Sequence, residues 1–368
     1  MAITKWSIWG SEQSTPLRVT CRNRDPAFTA SFPFGTIVNS ASRWSRLVAG
    51  GRPSAPKETN READRDRQFA VAATQAKAPV LNAPAPAFYR FKLGTIEATV
   101  VSDGPLSIGD PKNTFRGPTA EELSKMMSDQ FLPTNNVVLD QNVLVINTGD
   151  KLALFETGMS SVKRNDDMGR LVANLKQSGI EPADVDAVIP THAHIDHIGG
   201  IMAADGSRNF PNAQIYISQA DLEFWTDDKR LGTPAEGSAL AARKNLIPNR
   251  DRIVFYKDGQ EVLPGVQAMH TPGHTVGHTS FVVNSGGKSL FVVGDLMHHV
   301  ILVERPRMEV GFDTDPKQGI ETRVKVMDML AAQRMPALVY HLPWPGIGHF
   351  AKQGDGFRYV AEPMRLVL

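Results

Sequence analysis

Hydrophobic and polar positions follow regular patterns from about residue 88 onward, whereas the first 85 residues show little periodicity. Residues 88–93 and 95–101, with Gly94 between them, predict two strands joined by a turn. Apolar runs predict further strands at 136–147, 152–155, 185–190, 214–217, 290–293 and 337–340. Apolar residues at helical spacing predict helices that begin near residues 119, 165 and 218 and helices over 236–245 and 316–334. Strands that alternate with helices after a β-rich opening indicate a layered α/β architecture.

The first 85 residues differ from the rest in composition. The first 50 contain six Lys or Arg but two Asp or Glu, residues 57–67 are dense in charge, and residues 76–87 are rich in Ala and Pro. We therefore expect residues 1–85 to be a flexible, disordered leader and linker. The Arg- and Ser-rich start is faintly similar to a transit peptide, but an unstructured tail is the favoured interpretation.

Bulk properties exclude several classes of protein. The 368 residues carry a net charge of +1, so no basic surface for nucleic acid is implied. Cys21 is the only cysteine, which excludes an internal disulfide and a zinc site built from several thiolates. No apolar run is long enough to span a membrane, and no secretory signal is evident. We expect a cytoplasmic protein that acts on a small-molecule substrate and binds neither nucleic acid nor a membrane. Whether the protein forms a homodimer stays open.

The segment 191–200 holds four side chains that can bind metal ions, directly after the predicted strand at 185–190. Alternate residues of an extended chain point the same way, so His192 and His194 can share one metal ion. Asp196 and His197 lie just beyond and can reach a second. Without a metal these groups would be an unsatisfied polar cluster at a strand end. The glycine pair at 199–200 is expected to let the chain turn tightly and start a helix.

Three further metal-binding residues follow along the chain. His274 lies in the segment 271–278, Asp295 comes after the predicted strand at 290–293, and His341 ends the strand at 337–340. Loops at strand ends are where rigid scaffolds carry functional residues. The sequence therefore predicts that these residues complete a metal site.

Together these residues resemble the signature of the metallo-β-lactamase-fold hydrolases, H-x-H-x-D-H followed by a histidine, an aspartate and a histidine. The resemblance implies one hydrolase domain over residues 86–368 with an αββα sandwich, an α+β fold of two β-sheets flanked by helices. It also implies two divalent metal ions, zinc being favoured over manganese, cobalt or iron. One ion would be held by His192, His194 and His274 and the other by Asp196, His197 and His341, with Asp295 bridging both.

The C-terminal segment 341–349 is similar to a His-Leu-x-aromatic-Pro-Gly-Ile-Gly-His segment of the methyl parathion hydrolase group. Residues 356–360, 88–90 and 220–225 also resemble that group. The branch contains organophosphate triester hydrolases together with related lactone and ester hydrolases. This resemblance narrows the expected substrates to those three classes.

The resemblance implies a hydrolase that uses a metal-bridging hydroxide on an ester, a lactone or an organophosphate triester. Asp196 and Asp295 are the expected catalytic residues, because Asp295 would bridge the metal ions and Asp196 could protonate a poor leaving group. Phe224, Trp225 and Trp344 are candidates for a pocket that favours an apolar or aryl substrate. Glu156 stands where the family usually has an aspartate that orients histidines, so both that role and a surface turn stay open.

Alternatives on the same fold are a glyoxalase II-like thioesterase, a quorum-quenching acyl-homoserine lactonase, a di-iron dioxygenase and a nucleic-acid processing enzyme. The neutral net charge and the lack of an added RNA-binding domain count against the last of these. Four of the five remaining histidines are spare candidates without an assigned role; they are His278, His298, His299 and His349.

Overall fold

The computed structural model describes residue 85 and residues 87–159 and 167–368. The predicted leader lies outside the described residues apart from residue 85, so the boundary between leader and hydrolase domain stays a prediction. The predicted helix start at residue 165 also lies outside them, and the described helix there covers Leu171–Gln177. Within the described ranges, no helix is both long enough and apolar enough to cross a membrane.

Short strands and helices follow one another along the described chain. The strands are β1 (Phe88–Leu93), β2 (Ile96–Ser102), β3 (Leu106–Gly109), β4 (Phe115–Arg116), β5 (Val137–Leu139), β6 (Asn142–Asn147), β7 (Leu152–Phe155), β8 (Ala187–Val188), β9 (Gln214–Tyr216), β10 (Ile253–Val254), β11 (Glu261–Leu263), β12 (Val266–His270), β13 (Thr279–Ser285), β14 (Lys288–Val292), β15 (Glu309–Val310), β16 (Ala337–Leu338), β17 (Ile347–Gln353) and β18 (Gly356–Ala361). The helices are α1 (Pro111–Thr114), α2 (Ala120–Asp129), α3 (Leu171–Gln177), α4 (Ile195–Ile198), α5 (Gln219–Thr226), α6 (Glu236–Leu246), α7 (Val300–Glu304) and α8 (Pro316–Gln333).

These strands form two seven-stranded mixed sheets and two small two-stranded ones. The first sheet has the order β1-β2-β6-β7-β8-β9-β10, and its strands from β7 onward run parallel. The second has the order β11-β12-β13-β14-β16-β17-β18, in which only β14 and β16 pair in parallel. The long helix α8 makes the crossover that a parallel pair requires. The small sheets pair β3 with β5 and β4 with β15.

The two large sheets pack face to face because their strands carry apolar side chains on both faces. One face of each sheet packs against the other sheet, and the opposite face packs against helices. In β14 and the residue after it, Leu290 and Val292 face the core between the sheets, whereas Phe291 and Val293 face α8. In β7, Phe155 points into the core between the sheets and contacts Phe281 of the other sheet edge to face at 5.6 Å. Strands buried on both faces read as continuous apolar runs.

Helices cover the outer faces of both sheets. The first sheet buries a second core beneath α3, α5 and α6, and the second sheet buries a third core beneath α8. The layers are therefore helix, sheet, sheet, helix. This arrangement confirms the predicted αββα sandwich.

One predicted strand is interrupted, and the interruption matters for the site. The apolar run 136–147 forms two strands, β5 and β6, with Asp140 and Gln141 between them. Because Asp140 lies outside both strands, its carbonyl oxygen can accept a hydrogen bond from a side chain. The donor is His341 Nδ1, at 2.8 Å. The consecutive polar residues Asp140, Gln141 and Asn142 mark this break in the sequence.

Candidate metal centre

The His-rich loop follows β8 and leads directly into the short helix α4. His194 stands at the N-cap of α4, and Asp196 and His197 lie within the helix. The glycine pair does not start this helix as predicted, because α4 ends at Ile198. A Cβ on Gly200 would lie 2.0 Å from the Thr157 carbonyl oxygen, so the glycines instead let the loop approach the end of β7.

Three imidazole nitrogens converge at the first group of ligand candidates. His194 Nδ1 lies 3.0 Å from His192 Nε2 and 2.9 Å from His274 Nε2, and the two Nε2 atoms are 3.1 Å apart. Tetrahedral zinc with bonds of about 2.0–2.1 Å places its ligands about 3.3 Å apart, close to these separations. Burial lowers the pKa of His192 and His274 well below the ordinary value and that of His194 to about 3. Neutral imidazoles have the lone pairs that metal binding requires.

The second group combines two carboxylates with two histidines. Asp295 Oδ2 lies 3.2 Å from both His197 Nε2 and His341 Nε2, and Asp196 Oδ2 lies 3.2 Å from His341 Nε2 and 3.5 Å from His197 Nε2. Burial opposes protonation of His341, but the charges of Asp295 and Asp196 outweigh it and raise its pKa to about 10. The two carboxylates therefore favour a positive charge at His341, and a bound metal cation would supply that charge instead of a proton.

Asp295 connects the two groups. Its Oδ2 also lies 3.5 Å from His274 Nε2 and 3.9 Å from His192 Nε2. Its Oδ1 and His197 Nε2 are buried without a hydrogen-bond partner among the described residues. Ligand atoms that approach closely without forming hydrogen bonds fit a site built for cations, since a buried polar atom is costly unless something satisfies it. The residues present thus fit a pair of divalent metal ions, and zinc suits the His and Asp ligands.

Buried groups accept hydrogen bonds from the Nδ1 atoms of two of these histidines, His274 and His341. His274 Nδ1 donates to Asp313 Oδ1 at 2.8 Å, and Asp313 Oδ2 lies 3.4 Å from Arg323 of α8. His341 Nδ1 donates to the Asp140 carbonyl, as described above. Such partners fix the ring orientation and leave Nε2 for the metal. Neither Asp140 nor Asp313 could be predicted from the sequence, because each is a single polar residue without a local motif.

Glu156 occupies the orienting position in which the resemblance leads one to expect aspartate. It is buried at the end of β7 with φ +70°, in the left-handed region. Its Oε1 accepts from Thr191 Oγ1 at 2.6 Å, and its Oε2 lies 3.0 Å from His197 Nδ1. The glutamate is therefore a buried partner of the His-rich loop and not a residue of a surface turn.

The four spare histidines lie in different surroundings. His298 Nε2 is 3.2 Å from Asp295 Oδ2, yet neither of its ring nitrogens forms a hydrogen bond to the described residues. His278 Nε2 accepts from the Asp295 backbone N–H at 3.0 Å. His299 caps α7, and His349 pairs with Glu362. In the sequence, the one sign that His298 lies near the candidate ligands is its position three residues after Asp295.

A cleft of about 340 Å³ opens onto both groups of ligand candidates. Polar side chains from the centre line this cleft, including Asp196, Asp295 and His298. The apolar side chains of its lining are Leu106, Ile108, Leu139, Met159, Ile195 and Phe312. Small-molecule sites combine such an apolar lining with a few convergent polar groups.

The three aromatic residues predicted for the pocket do not line this cleft. Trp225 is buried in the core beneath α5, and its ring meets the His194 ring edge to face at 5.0 Å. Phe224 lies next to it beneath the guanidinium of Arg230, 3.8 Å from the ring centroid. Trp344 packs against the core between the sheets. Spacing along a helix does not tell which side of it faces a substrate.

Comparison with known proteins agrees with this architecture. The model of the metallo-beta-lactamase superfamily matches residues 136–332. The chain belongs to this superfamily. Its specific membership of the methyl parathion hydrolase group stays a prediction.

Relatives and solved structures include lactone hydrolases. An N-acyl homoserine lactonase of a Bacillus species is 35% identical over 116 residues, which are 32% of this chain and 40% of that protein. One from Bacillus cereus is 32% identical over 124 residues, 34% and 43% of the two chains. The chain thus spans less than half the length of these relatives.

Two solved structures align over most of their length. AidC, a dizinc quorum-quenching lactonase in complex with a product, has a TM-score of 0.72 and 28% identity, covering 76% of this chain and 98% of that one. AbOPH, a hydrolase of the beta lactamase superfamily, has a TM-score of 0.72 and 28% identity, covering 77% and 100%. The fold is shared across the described domain.

Proposed function

We propose that this protein is a dinuclear metal-dependent lactone hydrolase and that N-acyl homoserine lactones are the first substrates to test. The observation that carries this proposal is the cleft, whose lining combines residues of both groups of ligand candidates with apolar side chains. An acyl chain can contact the apolar side chains while the lactone ring reaches the ligand candidates. The similarity to a dizinc lactonase and to N-acyl homoserine lactonases supports the same substrate class.

The roles of the side chains follow from their positions. His192, His194 and His274 would hold one ion, Asp196, His197 and His341 the other, and Asp295 would contact both. Bound divalent cations supply Lewis acidity and lower the pKa of water towards neutrality. Asp196 lines the cleft, so its carboxylate can accept a proton from water and return it to the leaving alkoxide. His298 can donate a hydrogen bond to a substrate oxygen.

Organophosphate triesters are a second candidate class. The segment 341–349 resembles that of the methyl parathion hydrolase group and contains His341, which reaches the second ligand group. An aryloxide leaving group needs little protonation, so the same side chains suffice. Relative turnover decides between the two classes.

The test is metal content together with turnover of a panel, each substrate measured with and without a chelator. The panel contains hexanoyl-homoserine lactone, an aromatic lactone, an aryl ester, a thioester and methyl parathion. We expect about two metal ions per chain, chelator-sensitive turnover, and lactones hydrolysed fastest. His192→Ala should abolish turnover, whereas the matched change His349→Ala, which lies outside the cleft lining, should retain it. Lactone turnover that survives metal removal would refute the proposal, and faster methyl parathion turnover would favour the second class.

A further inference from the structure

Helix α5 carries a carboxylate that joins the two loops of the three-histidine group. Asp221 is fully buried in the first turn of α5. Its Oδ2 accepts the backbone N–H of Ala193 and its Oδ1 that of Gly277, both at 2.8 Å. Ala193 lies between His192 and His194, and Gly277 lies three residues after His274. One side chain therefore spans both loops that supply this group.

The contact between α5 and the second loop is too close to adjust easily. A Cβ on Gly277 would lie 2.5 Å from Ser218 Oγ and 2.7 Å from the Asp221 backbone nitrogen. One turn further along α5, Trp225 packs its ring edge to face against His194. The same helix thus contacts both sides of the three-histidine group. Packed interiors transmit small displacements because they have few voids to absorb them.

The second ligand group rests on other parts of the fold. Glu156 at the end of β7 contacts His197, and the Asp140 carbonyl holds His341. The Tyr340 hydroxyl donates to the Asp196 carbonyl at 2.6 Å. None of these described contacts involves α5. A change at α5 should therefore act on one group of ligands and spare the other.

We infer that Asp221 is a positioning residue that sets the distance between the His192/His194 loop and the His274 loop, and hence the affinity of that group for its metal ion. This inference rests on the metal centre of the proposed function. Replacing one carboxylate oxygen by an amide nitrogen leaves one backbone N–H facing an amide N–H, so that buried N–H loses its hydrogen-bond acceptor. The unpaired loop is then free to move its histidine out of place. The geometry of the three nitrogens is no longer enforced.

The experiment compares Asp221→Asn with the matched change Asp103→Asn in the full chain. Asp103 is equally buried and accepts two backbone N–H groups, from Met159 at 2.8 Å and Leu171 at 2.7 Å, but neither lies in a loop with metal ligands. The metal-free proteins are titrated with zinc against a chromophoric chelator, and circular dichroism checks that each variant is folded. We expect Asp221→Asn to weaken one of two zinc-binding steps by about 10–100-fold and to leave the other within threefold. Asp103→Asn should keep both steps as in the unaltered chain.

Two further variants identify the step and guard against misfolding. In a His194→Ala chain, which retains the second ligand group, adding Asp221→Asn should leave the remaining zinc affinity unchanged. Gly277→Ala pushes the second loop from α5 with Asp221 intact and should weaken the same step. Equal weakening of both steps, or unchanged binding in both Asp221→Asn and Gly277→Ala, would overturn the inference. Fewer than two zinc ions on the unaltered chain would overturn the metal centre itself, and the inference with it.

Discussion

Shortening Glu156 to aspartate should weaken metal binding through His197 without disturbing the backbone. Deleting one methylene withdraws the carboxylate by about one carbon–carbon bond, or about 1.5 Å. The present separation from His197 Nδ1 is 3.0 Å and that from Thr191 Oγ1 is 2.6 Å. The Thr191 contact would then exceed the usual limit of a hydrogen bond, about 3.2 Å, and the charged contact with His197 would lengthen by the same amount. Aspartate tolerates the left-handed backbone of this position better than most residues, so the change isolates reach.

The expected size follows from the role of such partners. Losing the group that orients a metal-binding histidine reduces metal affinity by about 10–100-fold, which corresponds to about 1.4–2.8 kcal/mol. Competition with a chelator of known affinity measures this directly. Glu156→Gln keeps the length but offers an N–H to His197, which favours the tautomer with its proton on Nε2, the atom that faces Asp295. We therefore expect the glutamine to impair binding as well.

The control removes the same methylene from an exposed strand residue. Glu97 lies on β2, its side chain is 51% exposed, and it pairs with Arg90 at 3.6 Å. Glu97→Asp should leave zinc affinity unchanged, since surface ion pairs contribute little. If Glu156→Asp binds zinc within twofold of the unaltered chain, the carboxylate does not orient His197 and the reasoning is refuted.

Two other predictions concern the cleft and pH. Phe312→Ala removes part of the apolar lining of the cleft, so KM should rise more for a decanoyl than for a butanoyl homoserine lactone. An equal change of KM for both substrates in steady-state kinetics would contradict a role of this lining in binding the acyl chain. Burial raises the pKa of Asp103 to about 7 from the ordinary value of 3.8. The contribution of Asp103 to stability is therefore full below pH 3.8 and is lost as pH rises through 7. The unfolding free energy should therefore fall more between pH 5 and pH 8 in the unaltered chain than in Asp103→Asn; parallel profiles would show that Asp103 titrates normally.

Local patterns were enough to predict most elements of the sandwich. The run at 290–293 is apolar on both faces, and the helix predicted over 236–245 matches α6, which covers Glu236–Leu246. The parallel pairing of β14 with β16 could not be predicted, because it depends on where α8 returns the chain. The short helix α4 was missed since four residues carry no helical period. Sheet topology thus required the structure.

The candidate ligands were predictable because four of them share one short motif and two of the others, Asp295 and His341, come at the ends of predicted strands. Asp221, Asp313 and Asp140 were not, because each acts through a hydrogen bond to a residue distant in sequence. The pocket predicted from aromatic residues differs from the cleft for a related reason. Its lining comes from separate segments, such as β3, the end of β5 and the loop before α8. No single stretch of sequence contains that surface.

The order of the ligands along the chain has a consequence for how the protein matures. The loop after β8 of the first sheet carries His192, His194, Asp196 and His197. Neither group of ligands is complete without residues of the second half of the chain. Pairing between such distant segments is slow because loop closure must precede the contacts that reward it. Metallation should therefore come late in folding, after the two sheets have docked. The bound ions would then stabilise the folded sandwich by linking loops of its two sheets, and they would not nucleate its folding.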